Sequence, residues 1–486
     1  MKSNIAQILS LISAILHQFS LYPLFMMSNI IPFMISYLYH LQKESSSDNK
    51  SSLTQNDGYF IHPIMSLSMS ICCFYGGMVE HYLGPKIVII LGGISISIGD
   101  VLFILSKNII LDYFINIFFG VGFAIAMTAA VKNASKYFPN KEGLVNSIAG
   151  GFGGNLGSSF FNLIIKYIVS KGDYPDNDDN DMYKKSTAKN YKKFFYIHAG
   201  VVLGNAIISS LLLVPYKEKK IESISIENNT TDEQLLKQEE EKHNKENYKL
   251  GLKKIFKNIR IYKLLFIFFF TSFLQGFIFT VGFNFGTMDH GDDIEQIGGD
   301  EMSIIFTLTS LISSLVGPIF GLIFDKIGFK LTIIIIDLIS IINGCLISFT
   351  VKHGAIIYGI SIILNGCING GAFSMIFPYV SQIYGFNYAG ELYGFVVLST
   401  GISSMISASI YYIISRLYDD KINKDKTYLI IFIIGAILNI LAIIIAFFEN
   451  NSPFPFEDAN PENGKLVTSS SIKESSESKE EEQVAS

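Results

Sequence analysis

A run of about 20 apolar residues is long enough to cross the hydrocarbon core of a bilayer, and this 486-residue chain carries about a dozen such runs between short polar breaks. They fall at 8–39, 61–80, 87–106, 109–131, 143–169, 193–215, 260–285, 302–324, 329–351, 354–380, 390–417 and 427–448. Inside lipid every backbone amide must find its partner within the protein, which restricts spanning segments to helices or a closed barrel. Strand-period alternation of polar and apolar residues is absent, so helices are expected. The composition agrees, with 49% hydrophobic residues and a mean hydropathy of +0.39. Lys2 followed by "IAQILSLISAIL" has the outline of a short leader, but the apolar character continues to Leu38, which reads as a first membrane span. The expected fold is an all-α membrane protein with twelve transmembrane helices.

Two polar stretches divide the runs. Residues 216–259, with "KEKK" and "KQEEEKHNKEN", form a charged linker between an N-terminal six-helix half, 1–215, and a C-terminal six-helix half, 260–448. Residues 449–486, rich in Ser and Glu, have the composition of a disordered tail. Lys86, Lys132, Lys136, Lys141, the lysines of the linker, Lys326 and Lys330 all fall on one side if the spans alternate. That side, with both termini, is therefore expected to be cytosolic. The loop at 170–192 departs from this asymmetry, since Lys184, Lys185, Lys189 and Lys192 sit there with a cluster of aspartates. Cys72, Cys73, Cys345 and Cys367 lie within apolar runs and lack metal-ligand spacing, so neither a metal nor a cofactor is expected. A net charge of −5 without a basic aromatic stripe argues against nucleic acid.

Between the eighth and ninth runs stands "GLIFDKIGFK", where Gly321 and Gly328 bracket Asp325 and Lys326, with Lys330 following. "GMVEHYLGPK" repeats the arrangement between the second and third runs through Gly77, Glu80, Gly84 and Lys86. Gly328 suits a tight turn, because glycine reaches backbone angles that other residues resist. Gly321, earlier on the helix, permits close helix contact. A second pair of matched stretches, "YFPNKEG" and "YGFNYAG", follows each motif at nearly equal distance. Two six-helix halves in the same order form a parallel repeat, an arrangement that places a substrate site near the membrane midplane.

"GLIFDKIGFK" resembles the loop motif of the major facilitator superfamily and fits it at every defined position. The resemblance covers roughly residues 8–448. It implies that Asp325 latches the halves on the cytosolic side and that release of the latch accompanies alternating access. In the first-half copy His81 takes the register of the acid, and Glu80 supplies the carboxylate one position earlier. Residues 132–169, "KNASKYFPNKEGLVNSIAGGFGGNLGSSFFNLIIKYIV", are similar to the oxalate/formate antiporter-like and monocarboxylate transporter branch. Within them Gly150, Gly154 and Gly157 contribute to a small-residue face suited to close helix packing. The likeness implies a monocarboxylate or related organic anion as substrate.

Polar residues deep in spans are candidates for substrate contact. Gln18, Tyr22 and Asn29 share one stripe of the first run with His17 beside it, Gln275 is central in the seventh, and Asn365 and Asn369 share a face of the tenth. His17 and Asp100 are candidates to carry a co-transported proton, because ionisable groups within spans are costly and usually functional. The runs at 302–324 and 390–415 contain no Lys or Arg to neutralise a carboxylate. A neutral or zwitterionic solute such as an amino acid is therefore an alternative cargo, and a transporter-like nutrient sensor is an alternative function. No nucleophile–base pair or paired catalytic carboxylates occur in the spans, so the chain is not read as an enzyme. A monomer in a plasma or organelle membrane, with a small-molecule substrate, is expected.

Overall fold

A computed structural model describes residues 2–21, 27–46, 51, 53–138, 141–171, 173, 182–216, 248–287, 290, 297–417, 424–449 and 452–454. The chain forms two compact units, Met1–Asn228 with Phe256–Asn451, and Asn229–Ile255 with Ser452–Ser486. In the second unit residues 248–255 are helical, and most of the expected linker and tail lies outside the described residues.

The first unit is built of helices. In order they are α1 (Lys2–Leu21), α2 (Met27–Ser45), α3 (Ile61–Leu83), α4 (Pro85–Leu105) and α5 (Ile109–Ser135). Next comes a composite rod in which α6 (Glu142–Asn146) and α7 (Asn155–Ile164) are joined by π-helix at Ser147–Gly154 and followed by more at Ile165–Ser170. Then follow α8 (Lys185–Ala188), α9 (Tyr191–Leu212), α10 (Ile259–Thr287), α11 (Gly299–Thr350), α12 (Ala355–Tyr384), α13 (Phe386–Leu417) and α14 (Lys424–Phe447). Taking α1 with α2 as one rod, the composite rod as one and α11 as two gives the twelve spans of the expected fold. Nine of these helices are individually long and apolar enough to cross a membrane among the described residues.

The first run, read as one span over 8–39, is helical over 2–21 and again from residue 27, and residues 22–26 lie outside the described residues. The expected turn between the eighth and ninth runs falls at Gly328, the one non-helical residue within α11, with φ 78° and ψ 174°. Gly84, its counterpart in the first half, has φ 76° and ψ 161°. Both values lie in the positive-φ region that glycine enters without the steric cost of a Cβ.

Burial is reversed relative to a soluble bundle. Along α11, Ile304, Leu308, Leu311, Leu315, Ile319 and Leu322 are exposed at steps of three and four, while Thr309, Ser310, Ser313, Ser314 and Gly317 are buried. Ile87, Leu91, Ile94, Ile98, Val101 and Leu105 make the same apolar outer stripe on α4. A helix with its greasy face outward and its small polar face inward is suited to lipid outside and a polar interior. Each half also has an apolar centre, one around Val88, Ala129 and Ala149, the other around Phe277, Phe285, Tyr358 and Phe432.

Candidate functional site

The halves meet along two seams of small residues, placed alike in the two halves. In the first, a Cβ added to Gly77 on α3 would lie 2.8 Å from the Glu391 amide nitrogen on α13, and one on Gly390 would lie 3.2 Å from the Gly77 Cα. Further along, Gly394 abuts Cys73, and Gly401 abuts Ser66 and Ser70. In the second seam a Cβ on Gly321 would lie 2.7 Å from the Gly143 carbonyl, and one on Gly151 would lie 3.4 Å from the Gly317 Cα. At Gly77 and Gly321 no larger side chain fits without moving the backbones apart, and at Gly151 a Cβ would just reach van der Waals contact.

Charges sit where the seams reach the motif turns. The Leu144 amide donates to Asp325 Oδ2 at 3.2 Å, so the second-half acid meets the start of the composite rod across the interface. In the first-half copy Lys132 Nζ donates to Glu80 Oε2 at 3.2 Å, with both side chains about nine-tenths buried. Gly390 faces the same ammonium, and a Cβ there would lie 3.6 Å from Lys132 Nζ. The shift of the acid from position 81 to position 80 is thus accompanied by a partner on α5, where the second copy uses a backbone amide. Lys330 Nζ lies 4.4 Å from the centre of the Phe447 ring. Of these contacts at the motif end of the bundle, the Asp325–Leu144 hydrogen bond crosses between the halves, and the Lys132–Glu80 and Lys330–Phe447 contacts hold each motif within its own half.

Away from that end, between the halves, is a cavity of about 60 Å³. Since one water needs roughly 10–15 Å³ of such space, the cavity has room for a few waters or one small solute. Eight hydroxyls line it: Ser66, Ser158, Ser272, Thr309, Ser310, Ser313, Thr400 and Ser404. Asn155, Asn369 and His62 complete the polar wall, with Met69, Phe279 and Phe373 as apolar members. No Lys, Arg, Asp or Glu belongs to it. Gly370 and Phe373 also line a smaller cavity of about 20 Å³, shared with Gln18, Asn146, Gly150, Gly151 and Tyr393.

The hydroxyls have a defined polarity. Thr309 donates to the Ile305 carbonyl at 2.8 Å, Ser310 to Phe306 at 3.1 Å and Thr400 to Val397 at 2.8 Å. Serine and threonine in helices commonly bond back in this way. With its proton engaged by the helix, such a hydroxyl has only lone pairs left for the cavity. Three of the eight wall hydroxyls are thus left to act as acceptors toward the cavity.

The sequence candidates divide among several places. Asn369 lines the larger cavity and Gln18 the smaller, where Gln18 Nε2 also donates to the Met127 carbonyl at 2.7 Å. Asn29 Nδ2 donates to Asn162 Oδ1 at 2.9 Å and ties α2 to α7. Gln275 and Asn365 are buried, and their amides have no hydrogen-bond partner among the described residues. Neither belongs to the wall of either cavity. Tyr22 lies outside the described residues. His17 is buried on α1 near the Ala126 carbonyl. Asp100 receives His198 Nδ1 at 2.9 Å on both carboxylate oxygens, a contact that joins α4 to α9 beside Phe161 and Phe194. Gly157 packs on the Phe19 carbonyl, Gly150 lines the smaller cavity, and Gly154 is buried in the π-helix. His62, Asn155 and most of the hydroxyls were not singled out from sequence. The stripe His62, Ser66, Met69 at steps of four and three was the available signal.

Two six-helix halves joined at glycine seams around a central polar cavity define the class, and the Major Facilitator Superfamily model matches residues 23–408 and 277–473. The chain belongs to the Major Facilitator Superfamily and is a multi-pass membrane transporter in fold. Among solved structures, FucP, a Major Facilitator Superfamily transporter in the outward conformation, aligns with a TM-score of 0.59 at 14% identity, covering 91% of this chain and 99% of that one. A mutant of the nucleoside transporter NupG aligns with a TM-score of 0.57 at 12% identity, over 90% and 99% of the two chains. Monocarboxylate transporter 12 from Xenopus laevis is 26% identical over 113 residues. That match spans 23% of this chain and 24% of the relative.

Proposed function

We propose that this protein is a secondary transporter that carries a small, uncharged polar solute through the hydroxyl-lined cavity by alternating access, with the motif end facing the cytosol. The observation that carries the reading is the cavity wall, with eight hydroxyls, two amides and one imidazole but no side chain of fixed charge. A wall rich in lone pairs favours solutes with several O–H or N–H groups, because a buried acceptor left without a donor costs about 1–3 kcal/mol. A carboxylate brings only acceptors and a charge that needs compensation.

A monocarboxylate cargo is the second reading, favoured by the similarity to monocarboxylate transporter 12. Proteoliposome uptake of labelled xylose, alanine and lactate separates the two. Saturable uptake of xylose or alanine above lactate at neutral pH supports the first reading, and preferred uptake of lactate supports the second. Binding of a probe without any uptake would instead identify a sensor.

A further inference from the structure

His62 is the second residue of α3 and is only 4% exposed. It lines the larger cavity, and neither ring nitrogen has a hydrogen-bond partner among the described residues. A buried polar group without a partner costs folding free energy unless something else satisfies it. A solute in the cavity is in position to do so.

No fixed charge competes for this ring. On α5, Asp112 belongs to the first turn and is not part of the cavity wall. Asp100 on α4 holds His198. Along α13, the wall opposite His62 contributes Thr400 and Ser404, and Tyr411 and Tyr412 farther along pack on Tyr59 and Phe60. The span of α12 contains no ionisable group apart from Tyr and Cys, and the charged residues of α10, Arg260 and Lys263, belong to its first turn and the one after. On α11, Asp300 and Glu301 are in the first turn, and Asp325 meets the Leu144 amide. Asn155 and Ser158 are the neighbours from α7. Among the described residues, His62 is thus the only ionisable side chain on the cavity wall apart from hydroxyls.

We propose that His62 sets the charge class of the solute: its neutral imidazole binds an uncharged or zwitterionic solute, and its protonated form turns the same cavity into a site for a small organic anion. This assignment rests on the reading of the cavity as the transport site. The donor inventory explains why one proton is decisive. With Thr309, Ser310 and Thr400 bonded to their own helices, the donors left on the wall are the Asn155 and Asn369 amides, the Ser66, Ser158, Ser272 and Ser404 hydroxyls and His62, none of which carries a charge while the imidazole is neutral. Protonation adds a second N–H and the only positive charge on the wall, which is what a carboxylate requires.

The test follows initial rates of xylose, alanine and lactate uptake into proteoliposomes, corrected for protein-free vesicles, as external pH falls from about 8 to about 4, a window wide enough to protonate a buried imidazole. In the wild type the ratio of lactate uptake to uptake of the preferred neutral or zwitterionic probe should rise about tenfold or more, as expected for one compensated charge. In His62→Gln, which stays neutral, the ratio should be flat. A flat ratio in the wild type, or a wild-type pH response in His62→Gln, overturns the assignment while leaving the transport reading intact. Absence of uptake of all three probes by the wild type overturns both. The wild-type ratio needs no variant, so the assignment stands or falls on it even if His62→Gln fails to fold.

Discussion

At the scale of single residues, the buried ion pair at the first-half motif carries the clearest energetic consequence. Lys132 and Glu80 are each about nine-tenths buried, so removal of the ammonium strands a carboxylate away from water. Lys132→Met should lower stability by about 3–5 kcal/mol, whereas the double variant Glu80→Gln/Lys132→Met should recover most of the loss. Thermal unfolding in detergent measures both. Asp325 is exposed and faces the amides at the start of the composite rod, so Asp325→Asn should cost only about 0.3–1 kcal/mol, read as a small shift toward the motif-open state in cysteine accessibility. The residues with strong backbone or ionic constraints were legible in the sequence. Gly84 and Gly328 were readable because their spacing is duplicated and positive φ favours glycine. The wall hydroxyls were not, since serine and threonine in a membrane helix bond to their own backbone whether or not a cavity lies beyond them. Asp100 was readable as costly, but its partner His198 is 98 residues away, and only the packing of α4 on α9 brings them together.

At the scale of elements, function depends on how closely α3 approaches α13 and how closely the composite rod approaches α11. Gly77→Leu or Gly151→Leu would place a side chain where a Cβ already meets backbone at 2.8 Å or 3.4 Å. Either change should hold the seam apart, keep the motif end open and reduce transport by about tenfold or more, with a fold that still runs as a monodisperse peak on size exclusion. The contact is needed only in the closed state, so uptake should fall further than stability does. Membrane spans were legible because length and hydropathy decide them. The π-helical stretch at Ser147–Gly154 was not, since a wider turn depends on what the helix packs against and carries no distinctive composition. The turn at Gly328 was legible from its flanking charges and glycines, and it is compressed to that one residue between two helical stretches.

At the scale of the whole molecule, the two seams and the cavity between them make one device. Closing the motif end while a solute occupies the cavity requires the two halves to move as bodies around a fixed site. The direct measurement is counterflow: proteoliposomes loaded with unlabelled xylose, alanine or lactate, diluted into trace labelled solute of the same kind. Alternating access predicts a transient accumulation of label that disappears in Gly77→Leu. No accumulation with any of the three solutes, or a rate indifferent to solute on the far side, would contradict it.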